Sequence, residues 1–221
     1  MSLKIPKPLH GWRAFAGEVG IVLLGVILAL AFGEAAQAWQ WHREVGTARG
    51  AIHREMAFDL AVAADRLRIA KCVELHLADA EQRIEAVAET GKTPAGNVNL
   101  ESPGRMLLVG DYDAQVAAQN LIHFPAHELS ALGLFYDQVR FMREWDGAED
   151  QAWNELALLA VGNRKLGPLD VALLRRDLQA AKNYEELTVI NSRRQVQRGR
   201  ELGVDPGPSR ADYLSYMCKP A

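Results

Sequence analysis

Hydrophobic positions fall into two regimes along this chain. From Val19 to Gly33 they are unbroken by charge (VGIVLLGVILALAFG) and bracketed by Glu18 and Glu34; beyond Ala35 they recur every three or four residues. The first regime predicts a helix surrounded by an apolar medium, the second a set of amphipathic helices that each bury one stripe. No proline occurs from Ala35 to Thr90, and the stripe Ala48, Ile52, Met56, Leu60, Ala63, Leu67, Ala70, Leu77, Ile84 and Val87 predicts a single helix running on from the apolar run. Gly46 and Gly50 each weaken it by about 1 kcal/mol relative to Ala, so a bend is expected there.

Gly91 to Gly104 reads as a loop, and Arg105 to Gly110 is a short apolar piece that fits either an extended segment or the lead-in to a helix. Asp111 to His123 reads as helical up to Phe124-Pro125. A longer stripe follows in Leu129, Leu132, Phe135, Val139, Met142, Trp153, Leu156 and Ala160, with a kink or brief break expected at Asp146-Gly147. Gly162 to Gly167 is a turn, and Pro168 suits the first turn of a last long helix carrying Leu169, Leu173, Leu178, Ala181, Leu187 and Ile190 and ending near Leu202-Gly203. Asp205 to Pro208 is another turn, and the tail fits a short helical turn. Long helices on short links lie antiparallel to bury their stripes. The expected fold is therefore all-α: a single N-terminal transmembrane helix continuing into an antiparallel helical bundle. The expected divisions are a short cytoplasmic tail over 1–13, the transmembrane helix over 14–41 and an extracytoplasmic bundle domain over 42–221.

The uncharged run spans roughly 22 Å at about 1.5 Å per residue, short of the roughly 30 Å of bilayer hydrocarbon. It borrows length from Ala14-Phe15 and from Ala35 to Ala38, which places Glu18 and Glu34 at the two edges, where a carboxylate reaches water. Trp12, Trp39 and Trp41 sit where an interfacial aromatic belt belongs. The same residues also fit a cleaved secretory signal, with small-x-small sites at Ala29-Leu30-Ala31 or Ala36-Gln37-Ala38. Either reading exports the remainder. Lys4, Lys7 and Arg13 favour an N-terminus inside, although Arg43, Arg49 and Arg54 lie within reach on the other side. Gly25, Ala29 and Gly33, at four-residue spacing, form a face on which a second span can pack closely; small residues are also simply common in membrane helices.

The segment GEVGIVLLGVILALA followed by a tryptophan resembles the N-terminal anchor of an uncharacterised group of bacterial single-pass proteins. Gly17, Glu18, Gly25, Ala29, Leu30 and Trp39 are the matching positions. The likeness covers little beyond residues 12 to 41, and departs from the group's Asn-rich ending, where this chain has Glu34-Ala35-Ala36-Gln37. It implies a bacterial envelope protein with a helical extramembrane part, and it transfers no activity; the expected location is the inner membrane, N-terminus inside, with the C-terminal domain periplasmic.

Composition narrows the function classes. With 25 basic and 28 acidic residues, the chain has no global footprint of a nucleic-acid binder. Its two cysteines, Cys72 and Cys218, lie at opposite ends of the exported part; an oxidising compartment invites a bridge between them, and the alternative is two separate thiols. Residues 86 to 93 formally match a loose phosphate-loop pattern, but a long helix precedes Lys92 and Pro94 follows Thr93, the opposite of the required strand-loop-helix context. His123 and His127 have helical ligand spacing with Pro125 between them, which breaks the shared face. Glu74, His76 and Asp79 fit an ordinary solvated helix face. Arg193, Arg194, Arg198 and Arg200 suit a helix C-terminus electrostatically; anionic lipid or an acidic partner is the alternative use. Phe135, Tyr136, Phe141, Trp145 and Trp153 share one long helix and fit an interhelical seam or, less commonly, the lining of a ligand pocket.

No catalytic residue, metal site or cofactor is predicted. The expected function is that of a non-enzymatic membrane-anchored interaction or accessory scaffolding protein, with the lipid bilayer and another membrane protein or a second copy as partners. The alternative is an extracytoplasmic small-molecule sensing module.

Overall fold

The computed structural model describes residues 11–96, 98–104 and 106–218, with Ala14 described by its backbone alone. Residues 1–10, with Lys4 and Lys7, and Arg105 lie outside the described residues. The protein is all-α. Its helices are α1 (Trp12–Thr90), α2 (Gly110–Ala117), α3 (Ala126–Leu156), α4 (Pro168–Glu201) and α5 (Ala211–Met217), with 3₁₀ turns at Asn120–His123 and Ala157–Ala160. Two compact units divide within α1, Met1–Thr47 and Ala48–Ala221.

In the first unit α1 carries the apolar run, long and apolar enough to cross a membrane: an 18-residue window has mean hydropathy 2.4 and none of it is buried. Its Val, Leu, Ile and Phe side chains face outward on every side.

The second unit is a helical bundle built on three long elements. α3 lies alongside α1 in the same direction, as the pairs Arg49–Glu128 and Arg66–Glu149 show. α4 runs antiparallel to both, pairing Arg175 with Glu85 and donating from Arg198 to the Leu134 carbonyl. The parallel arrangement follows from the segment after α1, which runs back along that helix. Thr93 is tied to Val161 and Arg164 at one end, whereas Leu108 N donates to Asp59 and Asp111 N to Glu55 farther along. Glu55 thereby caps the start of α2, taking the Asp111 and Tyr112 amides at 2.7 and 3.1 Å.

Three expectations need correction. α3 is continuous through Asp146-Gly147, because Met142, Glu149, Ala152 and Trp153 on either side are buried on one face; that burial outweighs the roughly 1 kcal/mol that a glycine costs inside a helix. The segment Asp111–His123 is two pieces, since Gln119 turns left-handed (φ 59°) so that Leu121 and Phe124 bury. The buried stripes also follow a different register. In α1 Ile69 and Val73 are fully buried where Leu67 and Ala70 were expected, and in α4 Val171 and Leu174 are buried while Leu169 is 72% exposed.

That register is a seven-residue one. Ile52, Asp59, Arg66, Val73, Ala80 and Val87 in α1, Phe135, Met142, Glu149 and Leu156 in α3, and Val171, Leu178, Glu185, Ser192 and Gly199 in α4 are all buried. Helices packed along such rows interlock layer by layer. One apolar cluster includes Ile69, Val73, Leu77, Ile84, Trp153, Leu156, Leu174 and Leu178. Outside it, Ile52, Met56, Leu60, Leu132, Phe135, Tyr136 and Val139 are buried as well. Between the two portions lies a polar layer.

α4 ends at Gly203 (φ +70°), whose left-handed backbone lets the Val204 amide close back on the Gly199 carbonyl at 2.9 Å. The rest of the chain is a strap along α1. Gly207 N donates to the Ala57 carbonyl, Ser209 Oγ and Arg210 N donate to Asp65, and Cys218 is disulfide-bonded to Cys72. Met217 beneath the strap is buried in the apolar cluster.

Candidate functional site

Arg66 is the centre of the polar layer. It occupies a core row of α1 and is 3% exposed, so its guanidinium has to find charge partners inside the bundle. Its Nη2 lies 2.5 Å from Glu149 Oε1 on α3 and also against Glu185 Oε2 on α4. One cation thus joins three helices through two carboxylates. Burial pushes Glu149 up to about 7, with Arg66 opposing the rise and Glu185, Asp146 and Asp150 adding to it. Glu185 is raised as well, by burial first, with Arg66 opposing. Arg66 Nε and Nη1 and Glu185 Oε1 make no hydrogen bond among the described residues.

Beside this cluster is a cavity of about 30 Å³ lined by Arg66, Ser192, Thr188, Met142, Trp145 and Asp146, among others. That volume holds a water or two and is well below the few hundred Å³ of a typical metabolite site. Its roof is held firmly: Ser102 Oγ is bonded to Asp150, and Tyr213 of the strap donates to the Pro103 carbonyl at 2.8 Å. Another carboxylate, Asp59, is fully buried and accepts from Leu108 N at 2.8 Å. Burial pushes it up to about 7; the Leu108 amide pulls it down, Glu55 adds to the rise and Arg143 opposes it.

The five aromatics do not converge. Phe135, Tyr136 and Trp153 are fully buried, Tyr136 stacking on Tyr112 at 4.1 Å between centroids, whereas Phe141 is 45% exposed and packs against Trp145. Trp145 alone of the five lines the cavity. His123 ends a 3₁₀ turn and His127 lies in the first turn of α3, on opposite sides of Pro125.

On the first unit Gly25, Ala29 and Gly33 lie on the exposed surface of α1, and a Cβ on either glycine would meet open space. Trp12, Glu18, Glu34 and Trp39 are exposed and Trp41 is half-buried; the Trp39 ring carries the Arg43 guanidinium 4.9 Å from its centroid. The cysteines meet, with Cα atoms 5.2 Å apart, which fits the span of a disulfide.

Sequence reasoning missed the Arg66–Glu149–Glu185 cluster because it assigned charges to the solvent side of each helix. A signal was present. Each of the three stands seven residues from a buried apolar residue of its own row: Arg66 from Val73, Glu149 from Met142 and Leu156, and Glu185 from Leu178. Comparison with protein-family models, with curated proteins and with solved structures finds no match for this chain.

Proposed function

We propose that the chain is a non-enzymatic, membrane-anchored interaction or accessory protein of a bacterial envelope. In this reading the first part of α1 spans the inner membrane with the N-terminus inside, and the bundle works in the periplasm. The observation that carries it is the contrast within one helix: the Val19–Gly33 stretch leaves all its apolar side chains exposed, whereas the apolar residues of Ala48–Val87 on the seven-residue rows are buried. A continuous apolar surface of that size is untenable in water and natural in lipid. The Cys72–Cys218 bridge supports an oxidising compartment for the bundle.

The face formed by Gly25, Ala29 and Gly33 is the part of the span that a second helix can approach most closely, so the partner is another membrane protein or a second copy. Lipid and this partner are the contacts proposed; the charge balance offers nothing to nucleic acid. The alternative of a small-molecule module with its pocket among the α3 aromatics has less support, because the cavity beside Trp145 is only about 30 Å³.

The test is carbonate washing of membranes followed by mild detergent extraction of the full chain. Retention in the washed membrane, and a co-purifying chain or dimer lost in Gly25→Leu and Ala29→Leu, supports the reading. Release by carbonate removes the anchor, and a lone species indifferent to both substitutions removes the docking face.

A further inference from the structure

One guanidinium cannot neutralise two carboxylates. Arg66, Glu149 and Glu185 are each at most 5% exposed, so with every group ionised the cluster buries a net charge of one unit. Among the described residues, no second cation is paired with either carboxylate: Lys182 and Arg193 of α4 line the open groove beside Glu185, but Lys182 is paired with Glu81. Asp146 and Asp150 bear on Glu149 from α3 itself, Glu74 bears on Glu185 from α1, and all three are acidic. Ser192 of α4 and Ser102 of the roof loop are neutral, and the Ser102 hydroxyl is committed to Asp150. An uncompensated buried charge costs several kcal/mol, far more than the work of binding one proton from solution near neutrality.

We propose that the cluster is a proton-binding site: near neutral pH Glu149 and Glu185 share one exchangeable proton, so Arg66 faces one carboxylate and one carboxylic acid. The proton adds to a carboxylate oxygen on uptake and leaves to solvent water on release, with no other bond made or broken. The adjoining cavity, which reaches Arg66 and Ser192, gives water a route to the cluster. Above neutrality the proton departs, the two carboxylates repel, and the joint among α1, α3 and α4 loosens. The upward displacement of both carboxyl groups agrees with this. The site stands independently of the membrane reading.

The experiment is infrared difference spectroscopy on the full chain in detergent between about pH 6 and about pH 8.5. The expected result is a protonated-carboxyl C=O band that persists when Asp59 is replaced by Asn and disappears with a midpoint near neutrality. Glu149→Gln or Glu185→Gln alone abolishes that component, because the remaining carboxylate is matched one-to-one by Arg66. Asp59→Asn removes only the separate contribution of the other raised carboxyl. The Asp59→Asn spectrum is itself a readout if a glutamine variant fails to fold. In a chain that also carries Asp59→Asn, absence of a protonated-carboxyl band at about pH 6 overturns the proposal, as does a band that survives both glutamine substitutions or that each merely halves.

Discussion

Gly199 of α4 faces the side chain of Leu60 of α1 so closely that a Cβ built on the glycine would lie 3.1 Å from Leu60 Cγ and closer still to both methyls. Leu60 is fully buried and cannot swing into solvent. Here the glycine serves close helix approach, and its lower helix propensity is the cost. Gly199→Val is expected to lower stability by about 1–3 kcal/mol, as overpacking of a filled core does. Combined with Leu60→Ala, the valine fills the space vacated, and the double variant is more stable than the sum of the two single losses predicts. Urea unfolding of the four chains of the cycle measures the coupling; strict additivity would show that the contact does not set the helix spacing.

Legibility from the sequence tracked chemistry. Where α1 is apolar, at Ala48, Ile52, Met56, Leu60 and Ala63, the spacing alone placed the buried face correctly. It failed at Arg66, where the row continues through a charge; a reading that sends charges outward then slides to Leu67 and Ala70, away from Ile69 and Val73. The same slip put Leu169, Leu173 and Leu187 inside α4, although all three are exposed. Helix ends with their own local chemistry were legible: Pro168 opens α4 and Gly203 closes it. The polar cluster required knowing which three helices meet, and that depends on the backward course of the segment after Thr90, which is set by Asp59 and Glu55 taking loop amides.

The bond between Cys72 and Cys218 closes a loop across 146 residues and fixes the end of the strap. Cys72→Ser with Cys218→Ser is expected to lower stability by about 2–5 kcal/mol. The loss is concentrated at the C-terminus, so tryptic cleavage after Arg210 accelerates while α3 and α4 remain protected. A thiol-labelling mobility shift adds a test of compartment: the exported chain labels only after reduction, whereas a chain retained in the cytosol labels directly.

Asp59 gives the bundle a pH dependence of predictable sign. Its folded value, about 7, lies above the unfolded value near 3.9, so the native state holds the proton more tightly in between. This contribution to stability is fully present below the unfolded value and is lost as pH rises through about 7. Asp59→Asn keeps an oxygen acceptor for the Leu108 amide and removes the titration. The variant should gain about 3–4 kcal/mol over the wild type at about pH 8 and about 1–2 kcal/mol at about pH 5, read from chemical unfolding at each pH. An unchanged pH profile would show that Asp59 is ionised throughout.

Arg66→Met takes away the cation paired with both buried carboxylates while keeping the apolar stem of the side chain. Breaking a buried ion pair from one side costs about 3–5 kcal/mol, because the stranded charges lose their partner and remain out of water. The variant should therefore be severely destabilised at about pH 8. It should recover part of that loss at about pH 5, where Glu149 and Glu185 can both carry protons. Adding Glu149→Met and Glu185→Leu removes the charges altogether, joins the two apolar portions of the bundle, and should bring stability back to the wild-type level or above it. Acid rescue of the single variant and its absence in the triple variant, both followed by denaturant midpoint, identify charge as the cause. A triple variant as unstable as the single one would instead mean that the three polar side chains are held for shape, since equal volumes of apolar chain could not replace them.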